Sequence, residues 1–573
     1  MVDQISLGTY IFEKLKESGV HSVFGVPGDF NLALLDHIKE VDNLRWVGNA
    51  NELNAGYEAD GYSRINGFAA LITTFGVGEL SAVNAVAGAY AEHVPLIHIV
   101  GMPSQSAEKK KLLLHHTLGD LRFDEFVEMS KNISIKVKVI NDLDTAPAEI
   151  NDLIETAVLT KRPVYLGLPS NFSDALIPKS LVSSLKLKLS LPPNDKETEN
   201  EFVENVYGVI EKAERGIILV DACASRHAVT EEVKKLAQLT KFPVFTTPMG
   251  KSSFDEDNEE FYGLYVGELS SPDVKEIVES TDCILSIGGL LSDFNTGSFS
   301  YAYSTKNVVE FHSNYCKFKA ATYTDLQMNG ALANLTNQLK GYTKQQQVIP
   351  VPKSKFEYES AKVTPEGKLT QKYMWNRLSY FFQENDIIVS ETGTSSFGIL
   401  SAHFPKNSKA ISQVLYGSIG FSLPAAVGAA FAAEDIKNFE EPSLDRRTSL
   451  FIGDGSLQLT VQAISDACRW NVKPYLFVLN NNGYTIEKLI HGPYESYNNI
   501  QPWKHQLMLE FFADKTQYEN HTVKTAKEFD TLLKDPEFNK PTKIRVIELM
   551  LDEFDAPEAL VKQGKLSEKM NSA

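Results

Sequence analysis

The stretch FIGDGSLQ, Phe451 to Gln458, ends an apolar run at one acid held between two glycines. An amphipathic stretch, LTVQAISDACRW, follows, and then a second apolar run, PYLFVLN, that ends in NNNGYTIE. Residues 456–479 separate Gly455 from Asn480, enough for one helix and one strand, so the two strand ends come to lie side by side. Ligands of open α/β sheets bind at the carboxyl ends of strands. There Asp454 offers a carboxylate, Asn481 a side-chain carbonyl and Gly483 a backbone carbonyl, three hard oxygens that suit Mg²⁺. Backbone N–H groups of Gly455 and Ser456, at the start of the next helix, suit an anion. The pattern predicts a magnesium ion that holds a diphosphate. A GDG triplet alone is a common turn; the NNxG that follows at a helix-plus-strand interval makes it a site. No GxxxxGK[ST] loop occurs, which argues against a nucleoside triphosphatase.

The elements that must position these residues are legible as alternation. Short apolar runs (FAALITT, PLIHIVG, PVYLGLP, GIILVDA, CILSIGG, TSLFIGD, PYLFVLN) alternate with amphipathic stretches, the mark of βαβ units and largely parallel sheets. The fold class is α/β. A chain of 573 residues exceeds a single core. Two polar stretches, SLPPNDKETENE around 190–201 and KQQQVIPVPKSKFEYESAKVTPEGK around 344–368, read as linkers. They give three domains, 1–188, 195–343 and 366–573, each a largely parallel sheet flanked by helices. No internal repeat is visible in residue identity. GVGELS, Gly76 to Ser81, lacks the third glycine of a dinucleotide fingerprint and reads as a loop.

Composition narrows the function classes. Apolar residues make up 43% and charged residues 23%, ordinary for a globular protein, and the net charge of −18 argues against nucleic-acid or anionic-membrane surfaces. Four cysteines, Cys223, Cys283, Cys316 and Cys468, show neither CxxC nor Cys/His ligand spacing, so no disulfide framework or zinc site is indicated. The N-terminal MVDQISLGTYIFEKLKESGV has a helical apolar period rather than the layout of a signal peptide, and no run is long enough for a membrane span. A cytoplasmic location is expected.

GDG followed at this interval by NN resembles the diphosphate-binding motif of thiamine diphosphate enzymes. The resemblance extends through GVPGDFNLALLD (25–36), GNANELNAGY (48–57), TTFGVGELSAVNAVAGAYAEHVP (73–95), LLHHTLG (113–119), LLSDFNTGSFSY (290–301), ETGTSSFG (391–398), QVLYGSIG (413–420) and GYTIEKLIHGP (483–493). These stretches resemble fungal pyruvate decarboxylases nearly end to end. The resemblance implies an N-terminal pyrimidine-binding domain, a middle domain without nucleotide, and a C-terminal domain for the diphosphate and Mg²⁺. It implies active sites between two subunits, a homodimer as the minimum unit and commonly a homotetramer. The implied reaction is non-oxidative decarboxylation of a 2-oxo acid, pyruvate to acetaldehyde and CO₂, through a thiamine diphosphate ylide and an enamine.

Residue roles follow from the same resemblance. Glu52 would hydrogen-bond the pyrimidine, Ile419 would wedge the two cofactor rings apart, and the Gly417 carbonyl would accept from the amino group. Asp29, His115, His116 and Glu487 match four ionisable pocket residues. Thr392 would face the substrate and Thr394 the diphosphate; Thr485 and Ile486 would line the cofactor end, and Phe294 would limit room for larger acids. Departures from the family pattern are Asp120, Leu121 and Arg122 after the histidines, Tyr416 before the wedge, and Glu58 and Ser63 in place of alanines. Cys223 lies where some relatives carry a cysteine linked to substrate activation. Competing functions are a decarboxylase for aromatic or branched 2-oxo acids, a flavin-using carboligase, and a non-catalytic thiamine diphosphate-binding regulator.

Overall fold

The computed structural model describes residues 3–344, 347–356, 365 and 367–571. The expected linker at 344–368 therefore lies partly outside the described residues, which there include a short turn of helix at Lys353–Phe356.

Three sheets carry the α/β fold. The N-terminal sheet comprises Ser22–Gly25, Arg45–Trp46, Ala69–Thr74, Leu96–Met102, Lys136–Val139 and Val164–Pro169, all parallel. Its spatial order is second, first, third, fourth, sixth, fifth. The C-terminal sheet, Ile387–Ser390, Lys409–Ile411, Thr448–Gly453, Tyr475–Asn480, Tyr518–Val523 and Ile544–Met550, is also all parallel and has the same order. A repeat invisible in residue identity is thus present in topology. Central parallel strands ask only for apolar residues on both faces, so unrelated sequences satisfy the same arrangement. The middle sheet runs Phe261–Leu264, Val244–Thr246, Gly216–Val220, Cys283–Ile287 and Val308–Phe311 in parallel, then adds Tyr315–Phe318 and Ala321–Thr324 antiparallel.

Two local expectations need correction. The polar stretch at 190–201 is helix in its second half: Asp195 accepts the Thr198 N–H at 3.0 Å and caps Lys196–Lys212, whose buried face begins only at Phe202. GVGELS is not a loop beyond its first residue. Val77 opens the helix Val77–Ala91, and Glu79 turns back to accept the Gly76 N–H at 2.8 Å, a cap that apolar periodicity does not reveal.

One apolar core runs through residues of both the N-terminal and C-terminal sheets and their helices. Its seam is the pair Glu52–Asn66 and Ser422–Asp435, which approach backbone to backbone. A Cβ at Gly61 would collide with the Ala425 carbonyl, and one at Gly428 with that of Glu58. Two departures sit here: the Ser63 hydroxyl donates to the Pro95 carbonyl at 2.6 Å, while Glu58 is fully buried. Burial, then the neighbouring Asp466 carboxylate, pushes the Glu58 carboxyl well above its ordinary range. All four cysteines are free and buried, and no described helix is long and apolar enough to cross a membrane.

Candidate active site

Register brings Asp454 and Asn481 together. Thr448–Gly453 and Tyr475–Asn480 pair with Gly453 opposite Leu479, so the residues leaving the two strands emerge side by side. Asp454 is buried and opens the helix Asp454–Thr460. The Gly455 N–H, expected to meet an anion, instead donates to Asp454 Oδ1 at 2.9 Å, because the carboxylate folds back over the helix start. Ser456 follows it in the same helix and is also buried. The Gly483 N–H lies 3.4 and 3.3 Å from the two Asp454 oxygens. Gly483 has φ 115°, and a side chain there would strike the Asn498 carbonyl, so the turn requires glycine.

One terminal atom of the Asn481 amide lies 3.1 Å from Asp454 Oδ1 and 3.2 Å from the Gly483 carbonyl, and the other lies 2.9 Å from Thr485 Oγ1. With its nitrogen toward Asp454 and Gly483 the amide donates to both oxygens; turned over, it would offer its own oxygen beside theirs to a cation. Thr485 Oγ1 donates to the Glu553 carbonyl at 3.0 Å and so is free to accept from the Asn481 nitrogen. The donor set therefore fits Mg²⁺. Burial pushes the Asp454 carboxyl up to about 6, and a bound cation would favour its ionised form.

The neighbouring turns come from the same sheet. Thr394 is buried at the start of the helix Thr394–Gly398, and Thr392 Oγ1 donates to the Gln413 carbonyl at 2.8 Å. Gly417 lies over Thr392: a Cβ on it would sit 3.7 Å from Thr392 Cγ2. Ile419 is half-buried between Ser418 and Gly420. The helix Thr485–Ile490 carries buried Thr485, half-buried Ile486 and exposed Glu487. Phe294 of the middle sheet's unit reaches Phe397 edge to face, ring centres 5.9 Å apart.

A second group forms at the N-terminal sheet. Asp29 follows the strand Ser22–Gly25 and meets His115 Nε2 at 2.7 Å, with His116 Nε2 at 3.9 Å. Phe30 stacks on the His115 ring at 5.1 Å. Glu52 is the first residue of its helix; the cap is Asn51, whose side chain accepts the Asn54 N–H at 2.8 Å. Glu52 Oε1 lies over Gly78, 3.2 Å from where a Cβ would be, and burial raises its carboxyl above the ordinary range. Among the described residues, no hydrogen bond, ion pair or ring contact joins Asp29, Glu52, His115 or His116 to Asp454, Asn481 or Glu487.

The departures find partners. Arg122 pairs with Asp120 at 2.5 Å and Glu125 at 2.7 Å, bracing a loop in which Leu118 and Leu121 are exposed. The Tyr416 hydroxyl donates to Asn84 Oδ1 at 2.8 Å. Cys223 is buried in the middle unit, where burial pushes its thiol up to about 12. Sequence patterns missed Glu391, Gln413 and Glu79, all buried beside these turns.

Comparison with known proteins agrees with this layout. Models described as the thiamine pyrophosphate enzyme N-terminal TPP binding domain, central domain and C-terminal TPP binding domain match residues 5–125, 203–339 and 391–546. The chain is 56% identical to pyruvate decarboxylase isozyme 3 of Saccharomyces cerevisiae, 55% to the pyruvate decarboxylase of Candida glabrata and 54% to that of Kluyveromyces lactis, covering 100% of both chains each time. A solved structure, the Rhodococcus jostii RHA1 thiamine diphosphate-dependent 4-hydroxybenzoylformate decarboxylase, superposes with a TM-score of 0.76 at 20% identity, over 96% of this chain and 99% of that one, a likeness of fold. With three family models in chain order and relatives more than half identical from end to end, the chain belongs to the thiamine pyrophosphate enzymes and, among them, to the pyruvate decarboxylases.

Proposed function

We propose that the chain converts pyruvate to acetaldehyde and CO₂, using thiamine diphosphate and Mg²⁺ held between two copies of itself. The observation that carries this is the cluster of Asp454, Asn481 and Gly483 at adjoining strand ends, in a chain whose relatives are pyruvate decarboxylases along their whole length. Asp454, Asn481 and the Gly483 carbonyl would hold the metal, and Ser456 with Thr394 the diphosphate. Bound there, the cofactor supplies an electron sink for the pair left behind by the departing carboxylate.

The chain's own residues do the rest. Glu52, disfavoured as an anion by burial, would hold a proton facing the pyrimidine ring. Ile419 and the Gly417 carbonyl would hold the cofactor at its two rings, with Thr485 and Ile486 lining the same end. Decarboxylation of pyruvate to acetaldehyde consumes one proton, which the hydrogen-bonded Asp29–His115 pair, with His116 beside it, would hold. Thr392 and Glu487 would face the substrate from the C-terminal group, and Phe294 would limit room for larger acids.

Asp29 and His115 have side chains 49% and 57% exposed in one chain, whereas proton transfer of this kind needs a pocket closed to water. A homodimer that sets the Asp29–Glu52 group of one chain on the Asp454–Glu487 group of another supplies that closure; a homotetramer of two such dimers is the expected assembly, in the cytoplasm. Aldehyde release from pyruvate, coupled to NADH oxidation by added alcohol dehydrogenase, tests the function. Turnover that requires both thiamine diphosphate and Mg²⁺ and is faster on pyruvate than on phenylpyruvate or 4-methyl-2-oxopentanoate is expected. Silence on every acid would overturn it.

A further inference from the structure

Glu391 leaves the strand Ile387–Ser390 at its carboxyl end, beside the strand that delivers Asp454. It is 2% exposed, and its carboxylate is held by neutral donors alone. The Ser422 hydroxyl donates to Oε2 at 2.6 Å, and the nearby backbone amides of Gly420, Thr392 and Ser422 favour its ionised form. Oε1 is buried with no partner. Its own backbone is fixed as well: the Glu391 N–H donates to the Phe451 carbonyl at 2.9 Å, and its carbonyl accepts the Ser396 N–H at 3.1 Å.

Gln413, 1% exposed, mirrors it on the other side of Ile419. Its Oε1 accepts the Ser418 N–H at 2.7 Å, its carbonyl accepts from Thr392 Oγ1 at 2.8 Å, and its Nε2 is buried without a partner. Gln413 thus ties Ser418, which precedes Ile419, to Thr392, while the Glu391 carboxylate lies near the amides of Gly420, which follows Ile419, and of Thr392. A buried carboxyl group with no cation beside it is costly, and burial pushes this one up to about 7. An apolar side chain of the same size would pack here without that cost but could neither hold the Ser422 hydroxyl nor face the amides of Gly420 and Thr392.

We propose that Glu391 is a positioning residue which, with Gln413, clamps Ser418–Ile419–Gly420 against Thr392 and so fixes the Ile419 side chain and the Gly417 carbonyl where the two rings of the cofactor meet. This rests on the function proposed above. The clamp acts on the reacting geometry more than on substrate affinity, since the groups it fixes are set against the cofactor.

The test uses full-length Glu391→Ala, Glu391→Gln and Ser422→Ala chains at saturating thiamine diphosphate and Mg²⁺, with bound cofactor counted by calorimetry. In Glu391→Ala, kcat per bound cofactor is expected to fall at least ~10-fold while KM for pyruvate stays within about 2-fold, because misplacement of reacting groups lowers kcat. Glu391→Gln, which keeps one acceptor, is expected to recover part of that loss, and Ser422→Ala to lose less. Hydrogen exchange at the Gly420 and Thr392 amides should quicken in the same order. Parent-like kcat per bound cofactor and parent-like exchange in Glu391→Gln and Ser422→Ala would overturn the clamp, even if Glu391→Ala fails to fold. So would a lowered melting temperature with kcat unchanged. If the parent itself turns over no pyruvate, the proposed function fails, and the exchange measurements still decide whether the clamp exists.

Discussion

Glu52 is asked to do what an ordinary surface carboxylate does poorly, namely favour its protonated form and share the proton with a ring nitrogen. Half-burial at a helix start over Gly78, with no cation beside it, sets up that behaviour. Glu52→Gln keeps the shape and removes the exchangeable proton. We expect aldehyde release to fall by about 10²-fold or more, the range typical of lost acid–base groups, with cofactor still bound in calorimetry. Undiminished turnover would remove Glu52 from the chemistry. Asp454→Ala should act differently, abolishing Mg²⁺-dependent cofactor binding itself, since one of three oxygens and its charge are lost. At this scale the sequence is most informative where chemistry and spacing coincide. Asp454, Asn481 and Gly483 are legible because an acid and an amide at two strand ends leave few other uses. Glu391 and Glu79 are not legible, because what makes them unusual is burial decided by Ser422 and Tyr165, residues far away in the chain.

Among the elements, the helix Val77–Ala91 shows how a local device can set pH dependence. Glu79 is 1% exposed, accepts from the Gly76 N–H and the Tyr165 hydroxyl, and is pushed by burial from 4.5 to about 7. An acid whose folded-state pKa is raised favours the fold while protonated. That contribution is complete below about 4.5, is lost as pH rises toward 7, and amounts to roughly 3 kcal/mol over the window. Glu79→Gln mimics the protonated acid at every pH. Thermal melts of variant and parent should therefore nearly coincide at pH 5, with the variant several degrees higher at pH 8; a gap that does not change with pH would contradict the assignment. The seam between Glu52–Asn66 and Ser422–Asp435 makes the opposite demand, since Gly61→Ala forces a methyl into the Ala425 carbonyl and is expected to destabilise by about 1–3 kcal/mol. Strand and helix alternation was readable for these elements because a parallel strand is a short apolar run. The start of Lys196–Lys212 was not, since its first turn is as polar as a linker.

In the whole molecule, two sheets of identical strand order lie on one continuous core, yet the residues that must act together stay in two groups. Residue identity gave no hint of that duplication, because topology is fixed by which runs are apolar and how long they are. If the groups meet only across a dimer, each active site takes Glu52 from one chain and Asp454 from the other. Two inactive chains can then repair each other. Glu52→Gln and Asp454→Ala proteins, mixed after reversible dissociation, would form mixed dimers in which one site carries both defects and the other carries neither. Random pairing in equal amounts makes half of the dimers mixed, so roughly a quarter of the parent activity should return. Sites formed within a single chain would return none, since every chain carries a defect. The same mixture held at a concentration where sedimentation shows only monomers should stay inactive and recover on concentration, which separates exchange of subunits from contamination by active enzyme.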